Sequence, residues 1–239
     1  MNRRRFLGSL AAAGVAGGAV SSQSWVHAVL PGRPWGEGRP LRVQVLMFDG
    51  VEEQDWAGPF EVLGLAASLG APLECRLITA GRPGRVASAY GAQLDVDLGW
   101  SPAQVDLLVV PGSRYADPKQ PGVHQLIGDP AVMRNLRDVH DQGVVMAGVC
   151  TGVMVLSGAG LTRGRPCTTH HGAKEDLAAQ GGSVVDARVV DDGDLVTAGG
   201  ITSGLDLGLW LIEREFGTRL AAEAESALEY ERRGTVWRG

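Results

Sequence analysis

Cysteine is scarce in this chain of 239 residues. There are three, Cys75, Cys150 and Cys167, and an odd count excludes a complete disulfide framework. Cys75 and Cys167 read as ordinary packed thiols, with a pairing between the two as the alternative. Positive charge is in short supply too: 22 Lys and Arg stand against 27 Asp and Glu. The first 28 residues contribute Arg3, Arg4 and Arg5 and no acid, so the remainder is more acidic than the formal charge of −5 suggests. An acidic body excludes nucleic acid as an expected partner. The apolar stretch over 10–20 is too short and too rich in Ala and Gly to read as a stable membrane span. No cluster has metal-ligand spacing: on a strand the tandem His170 and His171 would point apart. Neither a metal nor another cofactor is expected. The body shows no internal repeat.

What is present begins with a leader. Asn2-Arg3-Arg4-Arg5-Phe6-Leu7 resembles a twin-arginine export signal, and Val26-His27-Ala28 offers a small-x-small cleavage site. Residues 1–28 are therefore expected to send the chain to the periplasm. Residues 29–40, with three prolines and three glycines, read as a linker. A catalytic body is expected over 41–218 and a C-terminal helix and tail over 219–239.

Short apolar runs over 41–48, 73–79, 105–110 and 144–149 read as buried strands. Asp55 falls in a loop that leads into a helix beginning near Trp56, with Pro59 near its start. Short β segments are expected up to Asp97. Val132, Met133, Leu136 and Val139 give 130–141 one apolar helical face. Cys167 to His170 reads as a short strand or loop and 172–180 as a helix. A hairpin joins 184–190 to 195–198 across Asp191-Asp192-Gly193-Asp194. The span from about Thr202 to Phe216 is apolar nearly all round, which places that helix in the interior, and 220–231 reads as a terminal helix. Strands alternating with helices predict an α/β protein: a three-layer sandwich with a mainly parallel sheet, flavodoxin-like.

The stretch that organises the chain is 144–156, a buried strand, a tight turn and a helix. Gly148 and Gly152 flank Cys150 as in a nucleophile elbow, with cysteine where hydrolases place serine. A thiol at a helix start is expected to have a lowered pKa. Sites in such sheets lie beyond the carboxyl ends of the strands. That rule gathers Asp55, Gly112, Ser113 and Cys150. Asp55 is the expected proton carrier for the thiol, the two sharing one proton. Thr151, with the N–H groups at Gly112 and Ser113, is expected to cradle developing negative charge. His170 is a possible base, although a lone histidine is more commonly structural. Gly199-Gly200 before a helix reads as a turn rather than a phosphate cradle.

These residues resemble the ThiJ/PfpI superfamily, of the class I glutamine-amidotransferase-like fold. The motifs are Gln54-Asp55-Trp56-Ala57-Gly58-Pro59, Val110-Pro111-Gly112, Val149-Cys150-Thr151-Gly152, Thr168-Thr169-His170, and the run from Thr197 to Asp206. Within the superfamily the isonitrile hydratase branch is the most similar. That resemblance implies addition of water to an isonitrile through a cysteine thioimidate. Cys150, Asp55 and Thr151 match the functional residues of the branch, and a homodimer acting on a small molecule is implied. Trp56, His170, Ile201 and Thr202 join Gly112 and Ser113 as expected pocket residues. The branch usually carries tryptophan where this chain has His171, and an aliphatic residue where it has Trp56. Both bear on substrate identity. The rival expectations are a glyoxalase or deglycase acting on α-oxoaldehydes, and a thiol redox sensor or chaperone without turnover.

Overall fold

Leu41 opens the first strand, β1 (Leu41–Met47), in a computed structural model that describes residues 38–101 and 104–239. The leader and residues 29–37 of the linker lie outside the described residues. Helix α1 (Glu53–Ser68) follows, then β2 (Leu73–Thr79) and a hairpin of β3 (Gly84–Ala87) and β4 (Gln93–Val96). Next come β5 (Leu107–Val110), the short α2 (Val123–Ile127), α3 (Pro130–Asp141), β6 (Val145–Val149) and α4 (Gly152–Gly158). The later half holds β7 (Pro166–Cys167), α5 (Lys174–Ala179), β8 (Ser183–Val184), β9 (Val189–Asp191) and β10 (Leu195–Ala198). It ends with α6 (Ser203–Phe216), α7 (Thr218–Leu228) and β11 (Trp237–Arg238).

The central sheet runs β11-β9-β10-β6-β5-β1-β2. From β2 to β10 the strands are parallel; β9 is antiparallel to β10, and β11 lies parallel to β9. β5 and β6 are buried at every position, as strands covered on both faces must be. Helices α1, α6 and α7 pack together on one face, and α2, α3 and α4 on the other, with α4 against β5 and β6. This is the expected three-layer α/β sandwich. Its five parallel strands follow the flavodoxin-like order, so the connections part between β1 and β5 and open a crevice at the carboxyl edge.

At the opposite, amino edge, buried Asp106 ties the start of β1 to that of β5. Arg39 Nη1 and Nη2 donate to it at 2.6 and 2.9 Å, and the Arg42 side chain and N–H add further bonds. At the end of the chain, buried Asp206 on α6 accepts from Arg188, from the Tyr230 hydroxyl and from the Arg233 N–H.

Several expectations are corrected. Asp55 and Trp56 are not at a loop–helix junction; both lie inside α1, which begins at Glu53. Pro59 is consequently deep enough that its missing N–H falls opposite the Asp55 carbonyl. The third strand starts at Leu107 rather than Val105. The span 184–190 is two elements: Val184 pairs in β8 with β7 as a separate small sheet, and only 189–191 forms the hairpin with β10. The helix expected over 172–180 is a 3₁₀ turn, His171–Ala173, followed by α5. The terminal helix stops at Leu228, because Glu229 takes a left-handed conformation (φ 48°) that ends it. α6 is buried along most of its length, as its apolar circumference requires, since α1 and α7 cover it.

Candidate active site

Cys150 sits where β6 turns into α4. It makes the turn with its own backbone, at φ 56°, a left-handed conformation that strains any residue bearing a Cβ. The flanking glycines do not supply the corner; they supply close approach. A Cβ on Gly152 would lie 2.0 Å from the Val110 carbonyl oxygen, and one on Gly148 2.8 Å from Val153 Cγ2. The strained turn is held on both sides. The Cys150 N–H donates to the Ala198 and Gly199 carbonyls (3.1 and 2.9 Å), and Thr169 Oγ1 donates to the Cys150 carbonyl (2.7 Å).

Asp55, with no exposed surface, reaches the same point from the first turn of α1. Its Oδ2 accepts the Gly112 N–H at 2.9 Å, while Oδ1 is buried without a well-formed hydrogen bond. Burial pushes the carboxyl up to about 7, against the Gly112 N–H and the neighbouring thiol, which favour its charged form. The Cys150 thiol is pushed up to about 12, first by burial and then by the Asp55 charge. The N–H groups of Ile201 and Thr151 work the other way, by hydrogen bonding to the sulfur. The expected lowering of the thiol pKa is therefore overturned. Helix α4 is only two turns long, and burial beside a carboxylate outweighs its dipole. The two groups behave as one unit: above about pH 7 they hold one proton and one negative charge between them.

The expected charge cradle is also corrected. The Gly112 N–H is taken by Asp55, and the Ser113 N–H by Thr151 Oγ1 at 2.9 Å. Thr151 Oγ1 in turn donates to the Ser113 carbonyl at 2.8 Å, so its hydroxyl fastens β5 to the elbow. Ser113 Oγ accepts the Val123 N–H at the start of α2. The donors left facing the sulfur are the N–H groups of Thr151 and Ile201. Ile201 is itself at φ 45°, a strained conformation for a β-branched residue. A backbone donor on the far side of β10 leaves no trace in side-chain patterns, which is why the sequence placed Ile201 only as lining.

A cavity of about 400 Å³ opens over the thiol. Ser113, Thr151, His170 and Ile201 line it with Cys150, as expected. Glu52, Arg114, Tyr115 and Asp117 also line it and were not singled out from sequence. The acidic run Glu52-Glu53 beside Asp55 was the available signal. Trp56 and Thr202 do not line this cavity. They face a neighbouring apolar hollow with Phe60 and Leu205, and Ile201 forms a wall common to both. His170 Nδ1 accepts the Gly172 N–H at 3.1 Å, which puts the proton of the neutral ring on Nε2. Burial and the nearby His171 lower its pKa. The two rings are 4.1 Å apart, because His171 begins a 3₁₀ turn rather than continuing a strand. Among the described residues no group of His, Cys, Asp or Glu is arranged to hold a metal ion, and all three cysteines are free.

Comparison with known proteins adds to this geometry. The model of the DJ-1/PfpI family matches residues 41–214. Isonitrile hydratase of Pseudomonas putida is 32% identical over 191 residues, 80% of this chain and 78% of that protein. A deglycase of Pyrococcus horikoshii is 32% identical over 136 residues, 56% of this chain and 75% of the deglycase. The crystal structure of a ThiJ/PfpI family protein from Pseudomonas syringae superposes with a TM-score of 0.71 at 22% identity, covering 87% of this chain and 84% of that one.

Proposed function

The chain belongs to the DJ-1/PfpI family, and on that premise we propose that it is an enzyme that adds water to an isonitrile, giving an N-substituted formamide. The observation that carries the reading is the Cys150 thiol set beside the buried Asp55 carboxyl, with one proton to pass between them. The likeness to the P. putida isonitrile hydratase supports the choice of substrate.

In the singly ionised pair the thiolate form attacks the terminal isonitrile carbon. A C–S bond forms, and Asp55 delivers its proton to the same carbon, leaving a thioimidate. Asp55, now a carboxylate, takes a proton from water as the water oxygen adds to that carbon, and passes it to the nitrogen, which becomes N–H. Collapse breaks the C–S bond as Asp55 takes the hydroxyl proton, which restores the thiolate and the carboxylic acid, and the formamide leaves with the elements of one water gained. The N–H groups of Thr151 and Ile201 favour sulfur as an anion, both when it attacks and when it departs. Thr151 acts through its main chain; its hydroxyl positions the elbow.

The test is to give purified protein an alkyl isonitrile and, separately, methylglyoxal. Formamide from the first is the expected product, and Cys150→Ser and Asp55→Asn each abolish its formation. Lactate from methylglyoxal with no formamide would transfer the protein to the glyoxalase or deglycase reading. The proposal extends to export through the twin-arginine leader, checked by cell fractionation, and to a homodimer, checked by sedimentation.

A further inference from the structure

Two glutamates precede Asp55, and they are used differently. Glu53 is committed: Ser88 Oγ and the Tyr90 N–H both donate to its Oε1, at 2.5 and 2.8 Å. Glu52 occupies the N-cap position of α1, its N–H donating to the Gly112 carbonyl at 2.9 Å, yet its carboxyl makes no capping bond. Glu52 lines the cavity over Cys150 instead. Arg114 is near enough to feel its charge, but the guanidinium donates to the Ala89 carbonyl at 2.8 Å and lies over the Tyr90 ring, 5.4 Å from its centroid. Asp117, on the same wall, accepts the Lys119 N–H at 3.1 Å. The walls thus carry two carboxylates against one guanidinium. The Cys150–Asp55 pair beneath adds a further negative charge above about pH 7.

We propose that Glu52 determines specificity, and that the cavity selects substrates whose N-substituent ends in a cationic, N–H-donating group such as an ammonium, and disfavours anionic ones. A half-buried carboxylate without a hydrogen-bond donor is the group such a substituent would satisfy. Burial first and the Glu53 charge second raise the Glu52 pKa, and the Arg114 charge offsets them only in part. The identity of the reacting group rests on the isonitrile reading; the charge preference of the cavity does not.

The experiment separates the two. Cys150 is treated with a 2-ammonioethyl and a 2-sulfonatoethyl methanethiosulfonate. In each case the thiolate attacks the reagent's sulfenyl sulfur, a disulfide forms and methanesulfinate leaves. Rates are read at the Cys150 peptide by mass spectrometry and normalised to those with free 2-mercaptoethanol. At low ionic strength the cationic reagent should react about tenfold faster than the anionic one, as for a ligand steered by a single-sign cleft. Glu52→Gln should lower that ratio by about threefold or more, and Glu53→Gln should leave it in place. An anionic reagent as fast as the cationic one, or a ratio unmoved by Glu52→Gln, overturns the proposal. In parallel, kcat/KM for 3-ammoniopropyl isonitrile should exceed that for 2-carboxyethyl isonitrile. If neither isonitrile turns over while the thiosulfonate preference stands, the hydration reading fails and the assignment of Glu52 remains.

Discussion

The Thr151 hydroxyl and the Ser113 peptide form a reciprocal pair: Oγ1 donates to the Ser113 carbonyl at 2.8 Å and accepts from the Ser113 N–H at 2.9 Å. Both residues are buried, so neither bond can be replaced by bulk water. Thr151→Val keeps the shape and removes both bonds, leaving a donor and an acceptor unsatisfied. Urea unfolding should show a loss of about 3 kcal/mol, and Thr151→Ser should recover most of it. A Val variant as stable as the parent would mean that the clamp contributes nothing.

The proton shared by Cys150 and Asp55 has a measurable titration. Below about pH 7 both groups are protonated; above it one proton leaves the pair and thiolate becomes available. Alkylation of Cys150 by iodoacetamide should therefore rise through a midpoint near 7 and then level off. In Asp55→Asn that midpoint should vanish. The thiol, still buried but relieved of the Asp55 charge, would then ionise in a single step above the ordinary thiol range, so the rate should keep rising with pH past 7 instead of levelling off. A profile identical in the two proteins would show that the groups do not titrate together.

Gly112 is enclosed by the groups it aligns. A Cβ there would lie 2.6 Å from both Thr151 N and Oγ1 and 2.8 Å from Asp55 Oδ2. Gly112→Ala must push the carboxylate from the thiol or the elbow from β5. The expected loss is about 2 kcal/mol of stability, as in overpacking, with turnover reduced by about a hundredfold. Combined calorimetry and kinetics would check it, and an Ala variant with unchanged kcat would show that the site tolerates the shift.

Asp106 carries an acid-sensitive part of the stability. Burial opposes its charge, but Arg39 and Arg42 outweigh burial and hold the carboxyl far below its usual range. With a depressed folded-state pKa, the stabilisation is complete above about pH 4 and is lost as pH falls below that. Asp106→Asn should cost about 2 kcal/mol at pH 7, and the gap to the parent should narrow steadily in acid. Denaturant midpoints measured from pH 7 down to about pH 2 would show it; a constant gap would contradict the linkage.

Much of this architecture is legible in the chain because its signals are local. The runs at 107–110 and 145–149 are apolar throughout because both faces are covered, and Gly148 and Gly152 mark the places where α4 crowds its neighbours. What escaped reading is non-local. The thiol pKa depends on a carboxyl 95 positions earlier, and on burial outweighing a two-turn helix. The N–H groups of Gly112 and Ser113 looked free because their partners, Asp55 and Thr151, come from other elements. The Ile201 donor belongs to the backbone, and Glu52 stands in an acidic run with Glu53 and Asp55 whose members differ only in the partners the fold gives them. Val184 was joined to the wrong strand because its preference for extended structure does not say which sheet receives it.

The bonds from Arg39 and Arg42 to Asp106 fix where the chain joins the sheet, at the end away from Cys150. The described chain therefore begins at the edge of the sheet opposite the active site. Immobilisation from that side should preserve access for small reagents, which makes it the preferred handle for work on the thiol.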